Sequence, residues 1–305
     1  MLMRQLSPVQ ARGLAWAFVG VLLFSFSVPM TKVAIGGFSP LFTATGRAVI
    51  AGGLAIVVLA AKRVSWPKRH HVRPLIYTMI GAVFGWPILL AIALTRTTSA
   101  HAAVIAAFMP ATTAIFAVLR TKEHVSRQFW FAVGLGTAAL VVFALARGGA
   151  ANADLGADLL VVGAVLASSW CYVEGASITK EMPGWQVISW VVVFALPITL
   201  PVTLWMWFAT SPTPTPTPAQ WSCLIGLGVS SMYLGFFAWY KGLAEAGIAF
   251  GGQVQQLQAP LTLVWSALLL GEVVTLGTVL CTAIVIIAVV WAQRSRVPTV
   301  AAPEE

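Results

Sequence analysis

Long apolar runs follow one another along almost the whole chain, and they limit the fold more than any other sequence feature. A helix needs about 20 apolar residues to cross the hydrocarbon core of a membrane, which is roughly 30 Å thick. Cutting the chain at its polar, Gly and Pro residues gives ten runs of about that length, at residues 13–35, 41–61, 75–95, 101–119, 129–146, 157–178, 185–208, 219–241, 249–269 and 275–292. The sequence therefore predicts an all-α integral membrane protein with ten transmembrane helices.

The composition argues against a soluble protein. Of the 305 residues, 59% are hydrophobic and 9% are charged, whereas soluble domains carry about 25% charged residues. The formal net charge is +9, but the basic residues lie in short segments between apolar runs, which disfavours nucleic acid as a partner. The first residues lack the pattern of a cleaved signal peptide, so we expect the first run to remain as a membrane helix.

Lys and Arg residues are distributed very unevenly between the two sides that ten alternating helices define. One side carries 14 of them and the other carries only Arg96 and Arg147, while Lys32 and Arg47 lie within spans. Because cytoplasmic loops of membrane proteins are enriched in Lys and Arg, both termini are predicted to be cytoplasmic. Adding or removing one helix would destroy this asymmetry, which supports the count of ten.

The two halves of the chain carry similar residues in the same order. Gly13 and Gly20 open the first span with the same spacing as Gly156 and Gly163 in the sixth. Each copy then contains five helices, and an odd number makes the second copy cross the membrane in the opposite sense. Such inverted repeats are typical of secondary transporters, which hold their substrate between the repeats near the middle of the membrane.

The repeat predicts the domain organisation. Pro110 in the fourth span is followed by Lys122-Glu123, and Pro260 in the ninth span is followed by Gly271-Glu272. The predicted divisions are a cytoplasmic N-terminus at 1–12, a five-helix repeat at 13–146, a linker at 147–156, a second repeat at 157–292 and a cytoplasmic tail at 293–305.

Four glutamines in the ninth span form the first candidate site. Polar side chains are costly in lipid and usually face a cavity or another helix, and Gln253, Gln255, Gln256 and Gln258 all precede Pro260. The proline also frees a backbone carbonyl for a ligand or water. We predict that Gln253, Gln256 and Gln258 line a substrate path, with hydrogen bonding between helices as the alternative for one or two glutamines.

Large aromatic residues form a second candidate group. Trp86 precedes a proline in the third span, Trp170 lies among small and polar neighbours in the sixth, and Tyr240 lies in the eighth. Such rings can stack on an apolar or aromatic substrate, and their polar atoms can bind it. The alternative for each ring is packing between helices or anchoring at the membrane interface.

Polar residues of another kind lie in the first, second and fourth spans. Ser25 precedes Pro29, so its helix is expected to be weakened and the serine either faces the cavity or bonds its own preceding turn. Lys32 and Arg47 are placed toward the outer ends of their helices and are assigned as gate or structural charges, as is His101, expected to be an exposed cap residue. The prolines predicted to kink helices are Pro29, Pro110 and Pro260.

Signatures of enzymes are absent from the sequence. It contains no metal-binding His-Glu-x-x-His, no Gly-x-Ser-x-Gly and no phosphate-binding loop, so we predict no catalytic residue, no metal ligand and no cofactor. Of the nine acidic residues only Glu174 lies inside a span. Proton-driven transporters usually carry a protonatable group near the middle of the membrane, so facilitated diffusion is predicted.

Several of these residues resemble one known family. The run from Ser25 to Lys32, Arg47 in the second span and the paired Pro-then-Glu patterns resemble the drug/metabolite transporter superfamily, in its ten-helix form built from two EamA-type repeats. The aromatic spans and the glutamine cluster are similar to exporters of the YddG type, which export aromatic amino acids. One departure is that the seventh span has Ser189 and Trp190 where a counterpart of Arg47 would lie.

This resemblance implies an exporter of small metabolites, often amino acids, in the inner membrane of a bacterium. We therefore expect a small-molecule substrate, membrane lipid as the surroundings and alternating access through a central cavity between the repeats. The alternatives are a broader exporter of drugs or cations within the same superfamily, and a polytopic membrane enzyme or scaffold. The sequence leaves the oligomeric state open.

Overall fold

The computed structural model describes residues 7–121, 127–147, 154–179, 181–209, 215–246 and 254–294, and within these ranges it contains helices and no β-strand. We call 7–147 the first half and 154–294 the second half. The first half contains α1 (Pro8–Ser25), α2 (Ser27–Ala34), α3 (Pro40–Ala61), α4 (Arg69–Met79), the π-helical segment π1 (Ile80–Gly85), α5 (Trp86–Ala93), α6 (Ser99–Ala106), α7 (Met109–Thr121) and α8 (Arg127–Arg147). The second half contains α9 (Leu155–Ser177), α10 (Gly184–Ala209), α11 (Pro218–Gly226), the π-helical segment π2 (Leu227–Leu234), α12 (Gly235–Ala246), a 3₁₀ turn (Gln255–Leu257), α13 (Gln258–Leu270) and α14 (Leu276–Arg294).

Many of these helices are long and apolar enough to cross a membrane. Among the described residues they are Pro8–Ala34, Pro40–Ala61, Arg69–Ala93, Ser99–Arg120, Leu155–Ser177, Gly184–Ala209 and Pro218–Ala246, with Leu276–Trp291 as a shorter apolar helix. Apolar side chains such as Val57, Phe208 and Ile287 are more than half exposed on the outside of the bundle, as lipid contact requires. The protein is therefore a multi-pass helical membrane protein.

Ser-Pro and Thr-Pro pairs mark the starts of three helices. Ser7, Ser39 and Thr217 each lie just before a proline that forms the first helical position, and each hydroxyl accepts a hydrogen bond from a backbone N–H of the first turn. Proline suits this position because its missing N–H would have no partner within the helix. These pairs fix the helix starts in the sequence itself.

Prolines also accompany the interruptions within the spans. Pro29, Pro110 and Pro260 each lie in the first turn of a helix that follows a break, in α2, α7 and α13 respectively. A proline cannot donate to the carbonyl four residues earlier. For Pro29 that carbonyl belongs to Ser25, and it accepts instead from the hydroxyl of Thr262, with 2.9 Å between the oxygens.

Small residues let helices from the two halves approach closely. A methyl group on Gly20 of α1 would lie 2.8 Å from the backbone nitrogen of Trp239 in α12. A methyl group on Gly81 of π1 would lie 2.2 Å from the carbonyl oxygen of Ala167 in α9. Such contacts between backbones are typical of helix packing in membranes. They position the third and eighth predicted spans, which carry the π-helical segments, against the helices of the opposite half.

Candidate functional site

A cavity lies at the meeting point of the interrupted helices. It is lined by Phe24, Ser27, Arg47, Ala82, Trp86, Met109, Ser168, Tyr172, Ser231, Met232, Phe236 and Gln258. Ser27, Met109 and Gln258 each begin a helix after a break, and Ala82 and Ser231 belong to π1 and π2. Its free volume is about 20 Å³, roughly the room that one water molecule needs. The helix breaks therefore converge on one small site.

Aromatic rings form much of the cavity wall. The rings of Phe24 and Phe236 meet edge to face with 5.0 Å between their centroids, and Tyr172 lies 5.9 Å from Phe236 and 6.2 Å from Phe24. Trp86 is 8% exposed and completes the apolar lining together with methionine side chains. Rings and thioethers of this kind pack well against an apolar or aromatic ligand.

Arg47 is the one charged residue among those that line the cavity. Its side chain is 3% exposed. Nη1 and Nη2 lie 3.4 and 3.5 Å from the hydroxyl of Ser27, Nη2 also donates to the hydroxyl of Ser231, and Nε has no acceptor among the described residues. The sequence placed Arg47 toward an outer helix end, but the structure buries it, because α3 presents this face to π2 rather than to the surface.

The acidic residues of the described chain are all bound elsewhere. Five of them form ion pairs, namely Arg12–Glu245, His70 and His71–Glu181, Arg96–Asp154, His101–Asp158 and Arg120–Glu174. The sixth, Glu272, accepts hydrogen bonds from the backbone N–H groups of Ser99 and Ala100 at the start of α6. None of these carboxylates contacts Arg47, so within the described ranges the buried guanidinium has serine partners and no counter-ion.

The glutamine cluster divides in the structure. Gln258 lines the cavity, and its Oε1 atom is buried without a hydrogen-bond donor among the described residues. Gln255 donates from Nε2 to the sulfur of Met109 over 3.3 Å, and Gln256 is buried at 9% exposure outside the cavity lining. Gln253 lies outside the described residues. One predicted glutamine therefore faces the site.

The other predicted substrate residues lie in different surroundings. Trp86 lines the cavity, but Trp170 packs between the rings of Tyr77 and Phe116, with centroid distances of 6.4 and 5.5 Å. Tyr240 is fully buried, with its ring against Phe236 at 5.7 Å. Ser25 also lies outside the cavity lining. Its hydroxyl donates to the carbonyl of Leu22 and accepts from the indole of Trp265, and both distances fit a hydrogen bond.

Lys32 and His101 are held by partners near the same end of the bundle. Lys32 Nζ donates to the carbonyls of Leu94 and Thr97 at 2.6 and 2.8 Å, where the C-terminus of α5 favours a positive charge. His101 was expected to be an exposed cap residue, and this is wrong. Its side chain is 5% exposed, and Nε2 lies 2.7 Å from Oδ1 of Asp158 on the neighbouring helix α9.

Several cavity residues were not identified from the sequence. Phe24, Phe236, Met109 and Met232 are ordinary apolar residues in apolar spans, and nothing in their local sequence separates them from residues that face lipid. Ser231 did carry a usable signal, because it and Ser230 are adjacent hydroxyl residues inside an apolar span, between Gly228 and Gly235. A π-helical segment, which is often found at functional sites, orients this serine toward Arg47.

A second polar cluster lies outside the cavity. Nε2 of His70 and Nε2 of His71 lie 2.9 and 3.0 Å from the same carboxylate oxygen of Glu181. These hydrogen bonds hold the pKa of the Glu181 carboxyl below its usual value. The three residues offer metal-ligating atoms within 4.8 Å of one another, and in the structure those atoms bind each other.

Comparison with known proteins assigns this multi-pass helical membrane protein to a family of transporters. Residues 11–145 and 155–293 both match the EamA-like transporter family. The chain belongs to this family, within the drug/metabolite transporter superfamily.

Two individual proteins are similar to the chain over most of its length. The Bacillus subtilis protein named "Uncharacterized transporter YdeK" is 37% identical over 285 residues, which cover 91% of this chain and 95% of that protein. A solved structure named "Crystal structure of protein" superimposes with a TM-score of 0.66 at 17% identity and covers 92% of this chain and 97% of its own. The second likeness shows the fold alone.

Proposed function

We propose that the protein exports small metabolites across the inner membrane of a bacterium, and that these are amino acids, aromatic ones included, or amino-acid-like compounds. In this proposal ten helices form two inverted repeats, 13–146 and 157–292, and both termini are cytoplasmic. The substrate moves by alternating access and facilitated diffusion. The observation that carries the proposal is the central cavity, because both halves contribute to its lining and it combines aromatic walls with a few buried polar groups.

The pattern of helix contacts supports an inverted repeat. The first predicted span packs on the eighth through α1 and α12, and the sixth packs on the third through α9 and α5. If the two repeats are exchanged, the contact between the first and eighth spans becomes the contact between the sixth and third. The second and seventh spans pair through α3 and α10, the fourth and ninth through α6 and α13, and the fifth and tenth through α8 and α14. A two-fold relation between halves produces such pairing.

The π-helical segments support the same relation. π1 lies in the third predicted span and π2 in the eighth, which are matching positions of the two repeats. Both contribute cavity residues, Ala82 from π1 and Ser231 and Met232 from π2. A site built from equivalent helices of two repeats fits the architecture in which the substrate is held at the repeat interface.

The lining supports an amphipathic substrate of small size. Phe24, Trp86 and Phe236 offer an apolar surface, and Arg47 and Gln258 offer polar atoms that have unused hydrogen-bonding capacity. An amino acid with an apolar side chain has both kinds of group. A buried guanidinium repels cations, which argues against the alternative of a cationic-drug exporter.

Alternating access is supported by ion pairs that join the two halves at both ends of the bundle. Arg12–Glu245 and Arg120–Glu174 lie at the predicted cytoplasmic end, and Arg96–Asp154 and His101–Asp158 at the opposite end. The cavity between them has room for roughly one water molecule. This space is too small for a metabolite. To admit one, the helices must separate at one end of the bundle while the ion pairs at the other end stay formed.

Flux in proteoliposomes tests the proposal. Purified protein is expected to accelerate the movement of amino acids from a panel down their gradients, and an imposed pH gradient at equal concentrations is expected to drive no accumulation. The reason is that His101, Asp158 and Glu174 are bound by partners and do not line the cavity. Absence of flux for every compound would refute transport. Accumulation that Glu174→Gln or His101→Ala abolishes would refute facilitated diffusion and identify the coupling residue.

A further inference from the structure

The charge on Arg47 has no explanation in the fold. A guanidinium stays protonated in proteins, and this one is 3% exposed in the interior of the bundle. All six acidic residues in the described ranges are engaged by other groups. The partners of Arg47 are the neutral hydroxyls of Ser27 and Ser231. A buried charge without a counter-ion destabilises a protein, so a residue that served only packing would be better as a neutral side chain.

The unused atoms around Arg47 define what it can bind. Its Nε–H is an unused donor, and the cavity also contains the acceptor Oε1 of Gln258, which has no donor in the described structure. The hydroxyl of Ser27 can donate to an anion as well as accept from Arg47, whereas that of Ser231 accepts from Arg47 and donates to the carbonyl of Leu227. One face of the site thus favours an anionic oxygen, and Gln258 favours an N–H group.

We propose that Arg47 binds the carboxylate of the transported molecule and that Gln258 accepts a hydrogen bond from its amino group. This inference rests on the proposed function, since it names the substrate class of the same cavity. One guanidinium in an aromatic and methionine-rich lining suits a single negative charge on an apolar body. A phosphate dianion requires more positive charge than the cavity supplies.

The bound carboxylate also links the two halves. Arg47 belongs to α3 of the first half, whereas Ser231 and Gln258 belong to π2 and α13 of the second. A carboxylate between these groups interacts with both repeats at once. The charge of the substrate therefore stabilises the closed site, and a molecule without a carboxylate leaves the guanidinium unpaired when the site closes.

Matched compounds test this assignment with two measurements on the full-length protein. L-Phenylalanine, L-leucine and L-methionine are each compared with their primary amides and decarboxylated amines, and inorganic phosphate is included. The first measurement is the shift in unfolding temperature in detergent, and the second is competition for flux in proteoliposomes. Wild type is expected to prefer at least one acid over its amide by about 10- to 100-fold, the usual size of a hydrogen-bonded charge interaction.

Variants separate recognition by Arg47 from a structural role. Arg47→Gln is expected to lose the preference for the acid over the amide, with an unfolding temperature equal to or above that of wild type. Arg47→Lys keeps the charge but not the planar fork and is expected to lose part of the affinity. Arg73→Gln removes an exposed arginine outside the cavity and keeps the preference. Gln258→Leu is expected to reduce discrimination between L-phenylalanine and 3-phenylpropionate, which lacks the amino group.

The outcomes distinguish this inference from the proposed function. Flux of amides or amines equal to that of acids overturns the carboxylate assignment and leaves transport standing. A preference that survives in Arg47→Gln also overturns it, as does binding of phosphate in place of the acids. If Arg47→Gln does not fold, an affinity of Arg47→Lys for the acids equal to that of wild type overturns the carboxylate assignment instead. Absence of flux together with a carboxylate shift that depends on Arg47 refutes transport and supports the binding site.

Discussion

The two halves of the molecule differ most in their charges. Residues 1–152 contain 14 of the 18 Lys and Arg residues and one of the nine acidic residues. All six acidic residues in the described ranges belong to the second half, and each ion pair among the described residues joins a base of the first half to an acid of the second. Opposite charges therefore pair across two halves that both match the EamA-like transporter family.

Arg47 is the exception that gives this difference a functional meaning. It is a base of the first half that lies against the second half, but it meets the hydroxyl of Ser231 there and no carboxylate. In the second half Ser189 lies near the place that the predicted repeat matches to Arg47, and its hydroxyl bonds the carbonyl of Trp185 and the hydroxyl of Tyr233. The neutral arrangement satisfies itself, whereas the charged one remains available to an anion.

The largest expected loss of stability comes from breaking the ion pair between Arg120 and Glu174, which joins the two halves. Glu174 is 3% exposed, whereas the side chain of its partner Arg120 is half exposed, with 3.1 Å between Nε and Oε1. Arg120→Ala leaves a buried carboxylate without its base and is expected to cost about 2–3 kcal/mol of unfolding free energy. Glu174→Gln leaves an arginine that water can solvate and is expected to cost under about 1 kcal/mol.

The unfolding free energies of both variants are measured in mixed micelles, and the double variant provides the control. Arg120→Ala with Glu174→Gln is expected to recover most of the stability that Arg120→Ala loses, since the unpaired carboxylate is gone. Equal losses in the two single variants would show that this pair does not connect the halves through charge.

A smaller effect is expected at two glycines that are equivalent in the predicted repeat. A methyl group on Gly20 would lie 2.8 Å from the backbone of Trp239, whereas one on Gly163 would meet only the end of the Leu89 side chain at 3.2 Å. Gly20→Ala is expected to cost about 1–3 kcal/mol because two backbones must separate. Gly163→Ala is expected to be neutral, since a leucine methyl can rotate away.

The control for the glycine comparison is Gly53→Ala. Nothing lies within 4 Å of an added methyl group there, so the substitution is expected to stabilise α3 by up to about 1 kcal/mol. Thermal unfolding of the three variants in one detergent makes the comparison. If Gly20→Ala is as stable as Gly163→Ala, the close packing of α1 on α12 is not a feature of the protein in solution.

The sequence predicted elements whose cause is local. Apolar runs form helices because lipid leaves backbone groups no other partner, and Pro29, Pro110 and Pro260 lie beside breaks because each lacks an N–H. Gln258 was found because four amides in one span cannot all face lipid. In each case the relevant physics involves residues close together in the chain.

The depth and direction of single side chains could not be predicted in this way. Trp86 and Trp170 were both predicted to line the substrate path, yet one lines the cavity and the other packs between Tyr77 and Phe116. Arg47 and His101 were placed near surfaces, but neighbouring helices from the second half bury both. Which face of a helix meets a partner depends on contacts between residues far apart in the chain, and a single sequence does not carry that information.

The smallest expected effect concerns an exposed carboxylate at the predicted cytoplasmic end. Glu181 of the second half accepts hydrogen bonds there from His70 and His71 of the first. These bonds lower the pKa of the Glu181 carboxyl in the folded protein below its ordinary value of 4.5. The stabilisation is therefore present above about pH 4.5 and disappears as the pH falls through the lowered pKa. Unfolding temperatures measured between pH 6 and pH 3 are expected to fall slightly more for wild type than for Glu181→Gln, and the two curves should converge at the acidic end.

His70→Ala with His71→Ala should remove the difference, because the carboxyl then titrates at the same pH in folded and unfolded chains. Parallel curves for wild type and Glu181→Gln would show that this contact adds nothing to the stability of the folded protein.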